Sequence, residues 1–569
     1  MTLASPFVPP GIDAADFAQL EPLYRDLLAR PVANSSQLQH LLTDWSALSA
    51  AVSECGARRR IDQSCHTDDP AIEQRFLNFI RDVEPKIKPL VFELQKKVVT
   101  SPAVGDLPAA LQTMLRDWRA AVELFRPANV PLDTAAQEAA TKYDKLIGAM
   151  TIERDGQTLT MPQAGRFLEE PDRGVREEVW RAMSQRRLAD RGAIEDVFDE
   201  LLGIRRQIAA NADLPNYRAY AWKDMCRFDY SPEDCLAFGA AIEQACVPRA
   251  AKLAERRREA LRLDTLRPWD LAVDPLNRAA LRPFPSDDVD ALVAGTSRAL
   301  AKVHPELAAQ FGRMKMGRNL DLASRKGKRA GGYQSSLEVV REPFIFMNAA
   351  GMQRDVETLL HEAGHAFHYQ WSSAANELVF VRHAPIEFCE VASMSMELLA
   401  GDHFGVFYGS ADEAARARRT LLEGIIKFFP WMATIDGFQH FLYTHEGHSR
   451  GQRAAAWAEL QRRFATPGVD WAGFEDEKAA LWQRQIHLFH YPFYYVEYGI
   501  AQLGALQLWQ RYRRDPGAAL DGYRRALSLG GTRPLPELFD AAGVKFDFSA
   551  ATLEPLMAAL EAELAALPE

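Results

Sequence analysis

The stretch 359-LLHEAGHAFHYQ-370 constrains this chain most, because it places two histidines and a glutamate inside an otherwise apolar helical run. Residues four apart on an α-helix project from nearly the same face, so His361 and His365 can bind one ion through their imidazole nitrogens. Glu362 lies one step further around the axis, where its carboxylate can reach a water on that ion without ligating the ion. The spacing therefore predicts a divalent metal site with Glu362 as the general base.

A second segment with the same residue types, 443-YTHEGHSR-450, lacks this geometry. His445 and His448 are three residues apart and their neighbours are polar, which predicts an exposed turn. His368 and His383 lie near the first motif in sequence, but neither completes a metal-ligand spacing. The metal site is therefore assigned to the apolar helix alone.

A third ligand is expected from 385-PIEFCEVASMSMELLAG-401, an apolar segment that carries Glu387, Glu390 and Glu397. A buried carboxylate costs free energy unless a cation or hydrogen bonds compensate it. We predict Glu390 as the ligand, with Glu387 and Glu397 supporting the histidines or held by salt bridges. Two nitrogens and one oxygen, with one position left for water, favour a single Zn²⁺ per chain; Co²⁺ or Mn²⁺ can occupy the same ligands.

Composition excludes several classes of partner. Among the 569 residues, 67 Lys plus Arg stand against 77 Asp plus Glu, and a net charge of −10 disfavours nucleic acid. The six cysteines form no CxxC pair, as is typical of a reducing compartment. The N-terminus lacks a basic segment followed by an apolar stretch, and no apolar window of about 18 residues occurs. We expect a cytoplasmic protein without a membrane segment; the oligomeric state has no signal in the sequence.

Helical periodicity dominates the chain, and few segments alternate as strands do. The best strand candidates, 333-YQSSLEVV-340 and 343-PFIFMN-348, lie just upstream of the metal motif and predict a small sheet beside it. The polar segment 151-TIERDGQTLTMPQ-163 is typical of a hairpin. We place a domain boundary there, with an N-terminal helical segment at 1–150 and a catalytic region at 151–569.

Together these motifs resemble the oligoendopeptidase F and thimet oligopeptidase family of zinc metallopeptidases. The resemblance rests on 361-HEAGH-365, on Glu390 placed 29 residues after His361, and on 487-HLFHYPFYYVEYGIAQLGALQLW-509. It covers approximately residues 200 to 560. It implies a mainly α, gluzincin-like fold of two helical lobes around a deep substrate channel. It also implies a cytoplasmic endopeptidase that hydrolyses internal bonds of short oligopeptides.

The resemblance further implies that the aromatic segment stabilises the oxyanion formed when water attacks the peptide carbonyl. The residues that match the family's His and Tyr donors best are His487, Tyr495 and Tyr498. The interval from His487 to the tyrosines is one residue shorter than in the thimet branch. Tyr494 or Tyr491 can therefore take one of these roles, and His490 can replace His487. Without the resemblance, this segment would be interpreted as an aromatic core helix.

The same resemblance assigns a substrate-side loop and edge strand to 331–336 and 343–348, where an extended peptide can add main-chain hydrogen bonds. Two other functions stay open. A zinc carboxypeptidase or peptidyl-dipeptidase on a similar helical fold would need a charge partner for the free end of its substrate, such as Arg382. A non-catalytic peptide-binding protein could retain the metal site alone.

Overall fold

The computed structural model describes residues 7–286, 288–325, 328–329 and 331–568. Most of these residues lie in α-helices, so the predicted mainly-α fold class is confirmed. No helix within these ranges is both long enough and apolar enough to cross a bilayer.

The N-terminal part of the chain packs around its own apolar cluster. Leu41, Leu94 and Leu115 are fully buried there, and the Trp45 and Trp118 rings lie 4.8 Å apart. The helices of this part are α1 (Phe17–Ala29), α2 (Ser35–Cys65), α3 (Pro70–Asn78), α4 (Glu84–Val99) and α5 (Gln112–Leu124). Their cluster is separate from the larger core described below, and it includes Val381 from further along the chain, with Leu378 and Phe380 packed against it.

The predicted hairpin after residue 150 is confirmed as an antiparallel pair, β1 (Thr151–Arg154) and β2 (Gln157–Thr160). Asp155 and Gly156 form its turn with positive φ, which suits a tight hairpin. The helices that precede and follow it in the chain are α6 (Asn129–Gly148), α7 (Met161–Gly165), α8 (Arg173–Ala189), α9 (Arg191–Asn211), α10 (Tyr217–Asp224), α11 (Pro232–Ala245), α12 (Val247–Ala260), α13 (Val289–Val303) and α14 (Pro305–Met316). The domain boundary near 150 stays a prediction.

A small sheet lies beside the metal motif, as predicted. Its strands are β3 (Leu320–Ala323), β4 (Tyr333–Leu337) and β5 (Glu342–Ala349), in the order β3-β5-β4. Strand β4 runs antiparallel to β5 and β3 runs parallel to it; β3 is too short for its pattern to be recognised in sequence. The Glu54 carboxylate of α2 accepts the N–H groups of Val339 and Val340 at 2.7 and 3.1 Å. The N-terminal part is thereby attached to the β4–β5 turn.

The larger core gathers the remaining helices around α16. They are α15 (Gln353–Ala375), α16 (Ile386–Gly401), α17 (Ala411–Thr444), α18 (Arg450–Phe464), α19 (Glu475–Ala479), α20 (Ile486–His490), α21 (Tyr495–Arg514), α22 (Pro516–Ser528), α23 (Leu535–Ala542) and α24 (Ala550–Ala566). Helix α16 is buried along most of its length between α15 and α21. The predicted ligands and the aromatic segment therefore meet across one buried helix.

Candidate metal centre and active site

The three predicted ligands converge. His361 and His365 project from one face of α15, with ring centroids 4.8 Å apart, and Glu390 faces them from α16. Glu390 Oε2 lies 3.4 Å from His361 Nε2 and 3.6 Å from His365 Nε2. One ligand atom from each residue lies within 4.8 Å of the other two, which is the spacing of atoms around a single ion.

A glycine in the motif permits this convergence. A Cβ on Gly364 would lie 2.6 Å from the carbonyl oxygen of Ala392 and from Cα of Ser393 on α16. Any other residue would push the two helices apart, so Gly364 sets the distance from the imidazoles to Glu390. Helix packing therefore requires a glycine at position 364, directly before His365.

The outer nitrogen of His361 is held by a carboxylate. Glu397 Oε1 lies 2.6 Å from His361 Nδ1, so Nδ1 carries the proton and Nε2 points its lone pair into the cluster. Of the two roles expected for Glu387, support of the histidines or a salt bridge, the structure favours the salt bridge. Glu387 Oε1 accepts from the Tyr230 hydroxyl at 2.6 Å and faces the buried guanidinium of Arg227.

The donor set has the electrostatics of a cation site. Burial raises the pKa of Glu390, but His365, His361 and Ser393 lower it more, and the result is about 2. Burial lowers the pKa of His365 to about 4. Burial also lowers the pKa of His361, yet hydrogen bonds to Glu390 and Glu397 raise it well above its ordinary value. Two imidazoles facing one ionised carboxylate fit Zn²⁺.

Glu362 has the environment of a general base. It is buried, and that burial, with the charge of Glu390 nearby, raises its pKa to about 7, near the value that favours proton transfer at neutral pH. The backbone N–H of Gln334 donates a hydrogen bond to its carboxylate. Since Gln334 lies in β4, the carboxylate is oriented by the strand beside the site.

Two tyrosines reach the cluster. The Tyr494 hydroxyl donates to Glu390 Oε1 at 3.3 Å. Tyr498 lies next to it, with ring centroids 5.3 Å apart and a hydrogen bond between the two hydroxyls. Burial, and the negative charge of Glu390, raise the pKa of both phenols, which keeps them protonated as donors. Both hydroxyls can therefore stabilise negative charge that develops beside the ligands.

The Tyr495 ring lies beside this cluster, with its centroid 4.9 Å from that of His487 and 5.6 Å from that of Tyr498, but its hydroxyl lies toward Trp431 and Arg484 rather than Glu390. Burial raises the pKa of Tyr495 to about 12. Tyr491 is largely exposed, and His490 Nε2 contacts Asp144 at 2.8 Å on another side of the helix. Of the alternatives considered for the aromatic segment, Tyr494 and Tyr498 are the two that face Glu390.

His487 lies against these tyrosines in a defined tautomer. Its ring centroid is 5.9 Å from that of Tyr494 and 5.8 Å from that of Tyr498. The Trp431 indole donates to Gln485 Oε1 at 3.2 Å, so the Gln485 amide N–H points at His487 Nδ1, 2.7 Å away. Nε2 therefore carries the proton. Burial lowers the pKa of His487 to about 4, so the ring is a neutral donor.

The break between α20 and α21 is what turns Tyr494 toward the site. Phe493 adopts the left-handed conformation with φ +67°, which is costly for a residue with a side chain. Gln439 accepts its N–H, and Arg227 donates to its carbonyl at 2.7 Å and to Glu497 at 2.6 Å. Sequence analysis missed Gln439 and Arg227, because both lie far from Phe493 in the chain, and it missed Glu497, because no local pattern marks it.

Two other predictions concern residues away from the ligands. The segment 443–450 lies at the end of α17, and His445 to Gly447 are exposed in a turn as predicted. Arg382, considered as a partner for a substrate terminus, is buried and binds Glu338 at 2.7 Å and neighbouring carbonyls. Its guanidinium is therefore already neutralised within the fold.

One further cluster of metal-ligating residue types occurs among the described residues. Asp436 and His440 are four apart on α17, and Cys235 faces them from α11. All three are buried, and their nearest ligand atoms also lie within 4.8 Å of one another. Arg218 Nη1 lies 3.3 Å from His440 Nδ1. We refer to it below as the Cys235 cluster.

Comparison with known proteins matches this chain to two family models and to several relatives. The model of peptidase family M3 matches residues 166–558, and the model of the peptidase M3 N-terminal domain matches residues 11–125. Oligopeptidase PepF of Bacillus subtilis is 25% identical over 294 residues, which cover 51% of this chain and 42% of that relative. An oligoendopeptidase F homologue of Mycoplasma pneumoniae is 22% identical, covering 76% of this chain and 75% of its own. The chain thus spans less than half of the Bacillus relative.

Solved structures resemble the whole chain. PZ peptidase A with an inhibitor superposes with a TM-score of 0.89 at 26% identity, covering 99% of both chains. An X-ray structure named as an oligoendopeptidase F gives the same TM-score, identity and coverage. Another, from Bacillus anthracis, has a TM-score of 0.85 at 22% identity and supports the fold alone.

Proposed function

The chain belongs to peptidase family M3, and from this premise we propose that it is a zinc-dependent endopeptidase hydrolysing internal bonds of short oligopeptides. The observation that carries the proposal is the convergence of His361, His365 and Glu390 beside the buried Glu362. The names of its relatives, an oligopeptidase and an oligoendopeptidase F homologue, support the substrate class.

His361, His365 and Glu390 would hold one Zn²⁺. Bound there, zinc acts as a Lewis acid and lowers the pKa of a water toward about 7. Glu362 takes the proton of the attacking water and passes it to the leaving nitrogen. Tyr494, Tyr498 and the Nε2–H of His487 donate hydrogen bonds to the carbonyl oxygen as it becomes negative; losing one such donor commonly costs about 10²–10³ in rate.

Of the three predicted donors, His487 and Tyr498 keep this role in the proposal. Tyr494 replaces Tyr495, because the Tyr494 hydroxyl contacts Glu390 and the Tyr495 hydroxyl lies toward Trp431 and Arg484. Strand β4 supports the substrate role predicted for its segment, since it borders the site and its Gln334 N–H reaches Glu362. An extended peptide at this strand would lie directly over the base.

Cytoplasmic localisation is part of the same proposal. All six cysteines are free thiols, which suits a reducing compartment. The net charge of −10 disfavours nucleic acid as a partner, and oligopeptides are the partners that we propose.

The test compares two glutamates on α15. Glu362→Gln should retain one zinc per chain and lose at least about 10³ in kcat on a peptide blocked at both ends. Glu357→Gln is the matched control, because burial raises the pKa of Glu357 to about 7 as well, yet it lies five residues earlier in α15. Its activity should stay near wild type.

Near-normal turnover by Glu362→Gln would refute the assignment of the base. Zinc-loaded wild-type protein that cleaves no peptide would instead favour the non-catalytic binding protein. Cleavage that requires a free carboxylate would favour the carboxypeptidase or peptidyl-dipeptidase.

A further inference from the structure

A single hydrogen bond sets the position of the proton on His487. Its Nδ1 lies 2.7 Å from Nε2 of Gln485, two residues earlier in the chain. Its Nε2 has no hydrogen-bond partner among the residues that the structure describes. A neutral imidazole carries one proton on either nitrogen, and the partner of the bonded nitrogen selects which. The orientation of the Gln485 amide therefore decides whether Nε2 donates or accepts.

Trp431 fixes the orientation of that amide. Its indole N–H donates to Gln485 Oε1 at 3.2 Å and cannot accept. If the amide turned over, its N–H groups would face the indole N–H, and both donors would lack an acceptor, which is costly. The indole packs against the Trp457 ring, 6.0 Å away, and Arg484 lies over its ring at 5.4 Å. Gln485 therefore keeps its oxygen on Trp431 and its N–H on His487.

The ring of His487 is restrained as well. The ring centroids of Tyr494, Tyr495 and Tyr498 lie 5.9, 4.9 and 5.8 Å from its own. Three aromatic neighbours limit rotation of the imidazole, so Nδ1 stays on Gln485. The ring is only half-buried, which leaves Nε2 as the nitrogen that a substrate can reach.

We propose that Gln485, with its amide oriented by Trp431, is a positioning residue that keeps the proton of His487 on Nε2, where it can donate to the oxyanion. This inference rests on the proposed peptidase function and deepens it. Gln485 and Trp431 act through the imidazole and need no contact with the substrate. Their loss changes which nitrogen carries the proton.

Gln485→Glu reverses the selection with little change in shape, because a carboxylate only accepts and draws a proton onto Nδ1. At low pH the ring then carries protons on both nitrogens, and Nε2 still donates. As the pH rises the ring loses the Nε2 proton, whereas the neutral wild-type ring keeps it. At pH 9 kcat should be about 10²–10³-fold below wild type with little change in KM. The deficit should shrink at least about 10-fold toward pH 5.5, as the ring regains its second proton.

Nitrogen-15 NMR of histidine-labelled, zinc-loaded enzyme without substrate reports the proton directly. Wild type should be protonated on Nε2 of His487, and Gln485→Glu on Nδ1 at pH 9. The signal is assigned by its loss in His487→Gln. Trp431→Phe removes the indole donor and frees the amide to turn over. Both tautomers should then appear, and kcat should fall about 2–10-fold, in proportion to the fraction that still donates.

Two control variants make the same substitutions elsewhere in the chain. Gln507→Glu matches Gln485→Glu, because both ends of the Gln507 amide also form hydrogen bonds, each at 2.9 Å to the backbone of Lys545. Trp509→Phe matches Trp431→Phe, because the Trp509 indole donates to Asp402 Oδ1 at 3.3 Å. Both controls lie in the second half of α21 and should keep the wild-type tautomer and pH profile.

A wild-type ring protonated on Nδ1 would overturn the proposal. So would a Gln485→Glu enzyme with wild-type kcat at every pH, or a single wild-type tautomer in Trp431→Phe. Circular dichroism and zinc content are measured for each variant, and the wild-type NMR result stands even if one variant fails to fold. Failure of the peptidase function is distinct, because zinc-loaded wild type then cleaves no peptide while NMR still reports the tautomer.

Discussion

The candidate metal centre and the Cys235 cluster have the same arrangement of residues on their helices, but they differ in whether a histidine can bind a metal ion. Each pairs two residues four apart on a helix with a third residue from another helix, and each gathers its ligand atoms within 4.8 Å. The difference lies in what faces the far side of the imidazole. Glu397 accepts from His361 Nδ1, whereas Arg218 can only donate to His440 Nδ1.

That difference decides which imidazole nitrogen carries the proton. With Nδ1 protonated, His361 turns the lone pair of Nε2 toward its neighbours and can bind a metal. With Nδ1 accepting from a guanidinium, a neutral His440 carries its proton on Nε2, which faces Asp436 at 3.3 Å. The comparison teaches that the partner of the outer nitrogen decides whether Nε2 offers a lone pair to a metal ion or carries a proton.

The two clusters also differ in the side chains that surround them. Phe493 and Tyr494 are neighbours in sequence but face different clusters: the Phe493 ring packs 5.5 Å from that of His440, and the Tyr494 hydroxyl contacts Glu390. The Trp222 ring also lies 5.8 Å from His440. The Cys235 cluster is thus enclosed by apolar rings, and the metal centre is bordered by hydroxyl groups.

The largest expected effect separates the two clusters by metal content. Glu390→Ala should leave the protein without bound zinc and without peptidase activity, because two imidazoles alone hold the ion weakly. Cys235→Ala should retain one zinc and full activity. Elemental analysis of dialysed protein measures both; loss of zinc in Cys235→Ala would make the enclosed cluster the true metal site.

A smaller effect is expected from hydroxyl groups near each cluster. Tyr498→Phe should lower kcat by about 10²–10³ with little change in KM, since its hydrogen bond strengthens only as the oxyanion forms. Tyr443→Phe removes a buried hydroxyl that accepts from Arg205 near the Cys235 cluster. It should cost about 1–3 kcal/mol of unfolding free energy and leave kcat unchanged; an equal fall in kcat in both variants would contradict the distinction.

The outer-nitrogen argument has its own test. Glu397→Gln keeps an acceptor for His361 Nδ1 but removes the charge, and it should weaken zinc binding about 10–100-fold. Arg218→Gln, at the equivalent position of the other cluster, should leave zinc affinity unchanged. Competition with a chromogenic chelator measures both affinities, and an unaltered affinity in Glu397→Gln would remove this residue from the site.

The smallest effect concerns the glycine inside each helical pair. Gly364→Ala brings Cβ to 2.6 Å from backbone atoms of α16, which cannot yield without moving Glu390. It should cost about 1–3 kcal/mol in urea unfolding. A Cβ on Gly437 meets only the end of the Leu460 side chain, at 2.9 Å, so Gly437→Ala should stay within about 0.5 kcal/mol of wild type. Equal stability of the two variants would show that α15 and α16 can separate freely.

Much of this site could be predicted because its signals are local. The two histidines and Glu362 lie within one helical turn, and Glu390 stands out as a carboxylate in an apolar helix. The choice of Tyr494 over Tyr495 could not be predicted, because it depends on a left-handed residue between two helices. The supports of that residue come from segments distant in the chain, where no periodicity marks them.

The attachment of β4 at both ends has a mechanical consequence. Glu54 of α2 holds the turn that follows β4, and the N–H of Gln334 within β4 holds the base Glu362. If the N-terminal helices move relative to α15, they must therefore move β4, the strand that orients the Glu362 carboxylate. Mutations or ligands that loosen α2 should therefore change the orientation of the Glu362 carboxylate before they change the positions of His361, His365 and Glu390.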